Sequence, residues 1–229
     1  MLAAGAASAQ SPSPHRLRAD IRYLSSDLLE GRGPGTRGDT LAAEYLRTQF
    51  SQLGLKTSFQ NVQLTAVETQ ATSRFGLFTW LTDYVGITEN QQPENTFQFT
   101  DVVFAGYGIT APEYHWNDYG MTTVRGKVVV LLAGEPPSAD PAVFGGPART
   151  PYAGWTYKFA EATRRGAIAA LIVHSAEAAG IDWDTVRKTW GSEQLRPRLE
   201  PSPTALQFAG WVTKQAAAKW LETDIDALI

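Results

Sequence analysis

The chain has 229 residues, 43% of them hydrophobic and 19% charged, with a net charge of −3 and a pI near 5.6. That length supports one or two domains with a real core, and the acidic balance speaks against a nucleic-acid partner, which leaves a basic footprint. There is no cysteine, so disulfides, thiolate nucleophiles and cysteine-type zinc sites are excluded.

Met1–Gln10, MLAAGAASAQ, ends in Ala7-Ser8-Ala9, the small-x-small pattern of a signal-peptidase site. The basic and most of the apolar part of a leader are missing, so the stretch reads as the tail of a signal peptide or as an alanine-rich end. Ser11-Pro12-Ser13-Pro14 has a linker's composition. No segment is apolar enough to read as transmembrane.

His15–Leu29 predicts a helix with Leu17, Ile21, Leu24 and Leu28 on one stripe. Gly31–Gly38 is a turn-rich loop. Asp39 or Thr40 is placed to cap a second helix, Thr40–Leu53, with Leu41, Tyr45, Leu46, Phe50 and Leu53 inward and Gly54 as its stop. Ser58–Val67 alternates as a strand through Phe59, Val62 and Leu64. From Glu68 to Phe97 the signals are mixed, with Trp80, Tyr84 and Val85 as packing residues. Phe97–Ile109 predicts a strand or a pair, Ala111–Asp118 a loop, and Val128–Leu132 a short buried strand.

Glu135–Tyr152 is a Pro/Gly-rich loop of a length that is often functional or mobile. Tyr152–His174 predicts a helix and then a buried strand. Phe159, Ala162 and Ala167 face inward, and Lys158, Glu161, Arg164 and Arg165 lie mostly on the other face. Gly166 suits a left-handed cap, and Ala167–Val173 is an apolar run of strand length. The three prolines of Arg196–Pro203 mark a boundary. Gln215–Leu221 predicts a helix, and Trp211 and Trp220 seek a packing partner. No internal repeat is visible. The strands near 97–109, 128–132 and 167–173 form a module of about 110 residues, an ordinary domain size.

The chemical motifs are weak. Gly33-Pro34-Gly35-Thr36-Arg37-Gly38 fits G-x-G-x-x-G, but a helix and not a strand precedes it, so a helix–helix connection is the better reading than dinucleotide binding. Gly106-Tyr107-Gly108-Ile109-Thr110-Ala111 fits the alanine variant, but Pro112 and an aromatic loop follow it. None of the three histidines, His15, His115 and His174, lies in H-E-x-x-H, and no G-x-S-x-G elbow exists. His115 reads as a loop contact with metal ligation as the alternative, His174 as a hydrogen-bonded structural histidine, and His15 as a helix start.

Asp182 and Asp184 flank Trp183 as solvated loop acids, and Glu113, Asp118, Asp20, Asp27 and Glu30 declare no pairing. Arg32 and Arg37 hold the glycine loop or bind a carboxylate. Tyr114–Tyr119 is a recognition surface or a packing loop. On the residues alone no active site is visible.

The assembled stretches do resemble a family. Leu24–Arg32 (LSSDLLEGR), Gly35–Gly38 (GTRG), Ala42–Tyr45 (AAEY) and Phe50 with Leu53-Gly54-Leu55 resemble the N-terminal segment of secreted di-zinc aminopeptidases. That family also includes glutamate carboxypeptidase II and the transferrin receptor relatives. Phe104–Ile109 (FAGYGI), Pro112–Tyr114 (PEY), Trp116–Tyr119 (WNDY) and Gly126–Leu131 (GKVVVL) resemble the protease-associated domain inserted in those enzymes. Tyr157–Phe159, Ala162, Arg165–Ala167 and Ala170–His174 continue the likeness, which covers about residues 15–229.

The resemblance implies an α/β (α+β) fold: residues 1–14 a signal-peptide remnant and linker, 15–67 the N-terminal segment of a peptidase domain, 68–204 a β-rich protease-associated insert, and 205–229 a segment returning toward a missing C-terminal catalytic domain. It implies a secreted or periplasmic hydrolase of peptide or protein substrates. In the whole enzyme two zinc ions activate a water for attack on the peptide carbonyl, with a Glu as base. The family's zinc ligands begin at an H-x-D element, and no H-x-D occurs here. No catalytic, cofactor-binding or metal residue is therefore assigned to any position, and the chain alone is expected to be inactive. The alternatives are a stand-alone, non-catalytic module that binds peptide or protein, and an insert from a subtilisin-like protease, which lacks the N-terminal helices.

Overall fold

The computed structural model describes residues 13–99, 101–200 and 202–228; the leader-like Met1–Gln10 lies outside them. The chain divides between Asn61 and Val62 into two units.

The first unit holds two helices, α1 (Pro14–Leu24) and α2 (Arg37–Gln52). Pro14 opens α1 at its first turn, where the missing N–H costs nothing. The predicted helix to Leu29 ends five residues early because a serine pair competes for the backbone. The Ser25 N–H closes the last turn, and the Ser26 hydroxyl accepts from the Leu28 N–H and starts a 3₁₀ turn, Asp27–Arg32. Leu28 is thereby turned outward and Leu29 is buried instead.

Helix α2 begins three residues before the predicted Thr40, because Thr36 is the cap. Its hydroxyl accepts from the Asp39 N–H at 3.3 Å, and the Asp39 carboxylate accepts from the Gly35 N–H at 3.0 Å. Tyr23 stacks on Tyr45 at 4.3 Å, and the Tyr45 hydroxyl donates to Asp20 at 2.7 Å. The G-x-G-x-x-G run follows the 3₁₀ turn and supplies the first two residues of α2. Its third glycine serves packing: a Cβ on Gly38 would stand 1.8 Å from the Leu29 carbonyl oxygen.

The second unit is built on a mixed sheet, so the fold is α/β. Its elements, in order, are β1 (Leu64–Val67), β2 (Arg74–Phe75), β3 (Phe78–Thr79), β4 (Tyr84–Ile87), β5 (Val102–Phe104), β6 (Thr110–Ala111), β7 (Trp116–Asn117) and β8 (Val128–Leu132). Then come α3 (Trp155–Arg164), β9 (Ala169–Val173), α4 (Ala176–Ala179), α5 (Trp183–Trp190), β10 (Gln194–Pro197), β11 (Phe208–Val212) and α6 (Lys214–Leu221). The main sheet has five strands in the order β4-β11-β9-β8-β5. β5, β8, β9 and β11 are parallel, and β4 closes one edge antiparallel to β11.

β8 and β9 read as unbroken apolar runs because both faces of the sheet are covered. On one face Trp155 and Phe159 of α3 and Trp190 of α5 pack around Trp211 of β11. On the other, Phe75 sits among Tyr84, Phe97, Phe99, Phe208 and Trp220 of α6. Phe208 and Trp211 are three apart on one strand and so serve opposite faces.

Several expectations are corrected. The strand predicted over Ser58–Val67 is confined to β1, because its partner β10 ends at Pro197; Phe59 and Val62 are exposed. The strand predicted over Phe97–Ile109 is only β5, because Gly106 and Gly108 take positive φ and turn the chain out of the sheet. Ala111–Asp118 is not wholly loop: β6 and β7 pair across it. The boundary read from Arg196–Pro203 does not close the unit, and the segment 205–229 contains β11, which lies between β4 and β9 inside the sheet. Asp182 and Asp184 are not loop acids: Asp182 caps α5 through the Thr185 N–H at 2.7 Å, and Asp184, in the helix's first turn, pairs with Arg187.

The β4–β11 pair sets Gly86 opposite Gly210. A Cβ on Gly210 would stand 2.1 Å from the Val85 carbonyl oxygen, and one on Gly86 2.7 Å from the Phe208 ring. Replacing Gly210 by Ala is expected to cost on the order of 3 kcal/mol, against about 1 kcal/mol for Gly76→Ala in the open β2–β3 turn. Denaturant unfolding of both variants checks this; equal midpoints would show that the strand pair yields without strain.

Candidate functional site

Parallel strands start at one edge of a sheet and finish at the other, so β5, β8, β9 and β11 all deliver their following segments to the same edge. Ligand clefts of open α/β sheets form there. A cavity of about 580 Å³ lies at that edge, lined by Tyr107 after β5, Leu132–Ser138 from the end of β8, Val173–Ser175 from the end of β9, and Lys214 after β11. Gly146–Arg149 and Ala153, from the Pro/Gly-rich loop, form part of its wall, with Glu177, Ala178, Ile225 and Asp226. The Pro/Gly-rich loop thus lines the cleft at the ends of the parallel strands. It is anchored by Phe144, fully buried among Tyr114, Trp116 and Tyr152. The aromatic loop Tyr114–Tyr119 is accordingly a packing surface for this anchor.

The polar groups of the cavity are largely engaged. His174 Nε2 lies 2.8 Å from the Ile181 carbonyl oxygen, so in the neutral ring Nε2 carries the proton and Nδ1 is left as the acceptor. The hydrogen bond expected of His174 is thus made to a backbone carbonyl. Glu135 accepts from the Thr150 N–H at 2.8 Å and from the Thr150 hydroxyl. Arg149 donates to the Glu177 carbonyl at 3.0 Å, and Lys214 pairs with Asp226. The cavity thus carries mixed charge over a Pro- and Ala-rich floor.

The remaining sequence candidates are dispersed. His15 lies in α1. His115 takes a left-handed conformation after the 3₁₀ turn Pro112–Tyr114. Asp118 accepts from the Ile109 N–H at 2.9 Å, a loop-holding role. Glu113 accepts from the Tyr152 hydroxyl, which holds the carboxyl below its ordinary range. Asp27 and Glu30 lie in the 3₁₀ turn before α2. Among the described residues no three His, Asp or Glu side chains converge as a metal site. These residues therefore offer no ligand set that fits the family's pair of zinc ions, and no chemical step is routed through a metal.

Sequence reasoning missed the layer behind the cavity. Lys158 and Glu161 of α3 face inward, not to solvent. The cause is that α3 is covered twice, by the sheet on one side and by the β6–β7 hairpin on the other. Thr110 of β6 is the hub. Its N–H donates to the Tyr157 hydroxyl at 3.1 Å, and that hydroxyl donates to its carbonyl at 2.9 Å. Its own hydroxyl bonds Glu161 and Arg165, each at 2.8 Å. Glu161 is therefore buried but paired, also with Arg164 and Arg165. Lys158 is fully buried and donates to the Tyr107 carbonyl, immediately behind the cavity wall. Burial pushes its ammonium down to about 7, with Asp118 and Glu135 acting in the opposite direction.

No protein-family model matches the chain, and no curated protein sequence matches it. Among solved structures it is similar to the aminopeptidase from Aneurinibacillus sp. strain AM-1, with 16% identity and a TM-score of 0.35. The match covers 92% of this chain and 41% of that one, so the chain spans well under half of that enzyme's length.

The Lys158 shift has a definite pH signature. An unfolded lysine titrates near 10.5 and this one near 7, so between those values the unfolded chain binds more protons and stability rises with pH. Below pH 7 the cost of burying the charge is fully present. Lys158→Met is expected to gain on the wild type by a few kcal/mol at low pH, the gain shrinking steadily from about pH 7 toward 10. Chemical denaturation across that range checks it; a difference independent of pH would show that Lys158 is not buried as a neutral amine.

Proposed function

We propose that this chain is part of a secreted, zinc-dependent aminopeptidase of the family its motifs resemble, and that its sheet unit is a protease-associated module that shapes access of peptide substrates. The observation that carries the reading is the bare apolar face of the first unit. Leu17, Ile21, Phe50 and Leu53 are 53%, 56%, 48% and 59% exposed, on helices whose apolar spacing is that of packed elements. Helices of that pattern need cover from further protein, and residues 15–67 in the peptidase domain would receive it there. The module in this reading takes in Phe208–Val212, since that strand is internal to the sheet.

A second reading, a peptide- or protein-binding module without catalysis, draws on the cavity itself. It is large enough for a side chain or two of a peptide, and its Glu135, Asp226 and His174 side chains already have partners. In both readings hydrolysis is not performed by these residues. Among the described residues no helix is long and apolar enough to cross a membrane, in keeping with either.

The purified chain is expected to retain no stoichiometric zinc and to release no product from aminoacyl anilides. Equimolar zinc, or turnover abolished by a chelator, would overturn the non-catalytic assignment. A fluorescent dye for apolar surface is expected to bind the chain, and to bind less after Leu17→Gln, Ile21→Gln and Phe50→Gln together; unchanged binding would remove the support for a covering domain. Reading the source gene past codon 229 separates the two readings. A continuing frame with an H-x-D element supports the peptidase, and an immediate stop supports the binding module.

A further inference from the structure

At the other edge of the sheet, before β8 and β9 begin, lies a second depression of about 500 Å³. Its wall is Thr122 to Arg125 on one side and Glu161, Arg164 and Arg165 on the other. The two sides are tied by a backbone hydrogen bond, Gly126 N–H to Gly166 carbonyl at 2.8 Å, so the depression is preformed. A Cβ built on Gly166 would stand 3.4 Å from the Arg125 guanidinium, which places that group beside the end of α3.

The charges there do not cancel. Arg165 is fixed by Glu161 and Thr110 and lies 4.5 Å over the Tyr119 ring. Arg164 shares the same Glu161 and keeps 63% of its side chain exposed. Arg125 has no hydrogen-bond or ion-pair acceptor among the described residues. Three guanidinium groups thus face one carboxylate and about half a unit of negative charge from the carbonyl end of α3, leaving more than one positive charge. A planar guanidinium presents paired N–H donors that match two oxygens at once, and the exposed Thr122 and Thr123 add hydroxyls. The surplus exceeds what a single carboxylate neutralises.

We propose that this depression is a binding site for a doubly charged tetrahedral oxyanion of the phosphate or sulfate class. The site stands on its own charges and does not depend on the aminopeptidase reading. It also differs in kind from the cavity at the opposite edge, where Lys214 is already paired with Asp226.

Backbone amide NMR of the full chain, titrated at constant ionic strength with inorganic phosphate, sulfate or acetate, tests it. Saturable shifts confined to residues 122–126 and 161–167 are expected with phosphate or sulfate, and acetate is expected to bind at least about tenfold more weakly. Arg125→Met, on an exposed side chain that the fold does not use, is expected to weaken dianion binding about tenfold or more, whereas Arg149→Met in the other cavity leaves it unchanged. Phosphate bound more tightly than sulfate assigns a phosphoryl source, and the reverse a sulfuryl one. Absence of saturable shifts at about ten millimolar dianion, equal binding of acetate, or full affinity in Arg125→Met would overturn the proposal.

Discussion

Burial of three neighbouring parallel strands on both faces is the constraint from which the rest of the second unit follows. β8, β9 and β11 carry no exposed residue. A strand with two dry faces cannot lie at the surface, so helices and aromatic hairpins must cover it on each side, and parallel pairing demands a crossover segment between successive strands. α3 serves between β8 and β9, and α5 between β9 and β11. The crossovers bring every parallel strand into the sheet at one edge and out at the other. The cavity and the arginine-lined depression are those two edges.

The same constraint decides what could be read from the sequence. VVVLL and AALIV are unbroken apolar runs between turn residues, and the strands at Val128–Leu132 and Ala169–Val173 were legible for that reason. FAGWV was not, although it is buried between β4 and β9. Its centre is Ala209-Gly210, which carries no β-branched signal, and the prolines before it look like a boundary. Glycine at that centre is required by the approach of β4, a tertiary fact with no local trace. In the first unit the errors are local. A serine pair ended α1 and a threonine opened α2, and both are capping events that compete with an apolar stripe spanning them.

The functional surface was legible only as a loop. Its length and its prolines and glycines marked residues 135–152 as unusual, and they do form part of the cavity wall. What lines the opposite wall comes from strand ends far apart in sequence, which only the sheet order assembles. Arg125 carried no signal at all: a single arginine after a valine becomes notable only when Gly126 bonds to Gly166 and brings it beside Arg164 and Arg165.

α3 shows most sharply why a helical wheel is insufficient. A wheel assumes one dry face, and it puts Lys158 and Glu161 in water. Here the β6–β7 hairpin dries the second face as well, and the two charges meet the change differently. Glu161 is surrounded by donors from Thr110, Arg164 and Arg165 in a buried, hydrogen-bonded network. Lys158 finds a single backbone carbonyl and two carboxylates that are not bonded to it, so burial prevails and lowers its pKa to about 7. A helix covered twice can thus hold a well-partnered buried carboxylate at one position and a poorly partnered buried amine three residues earlier, the difference being the number of partners each one finds. The cavity wall at Tyr107 rests on the second of these, through the hydrogen bond that Lys158 donates to its carbonyl.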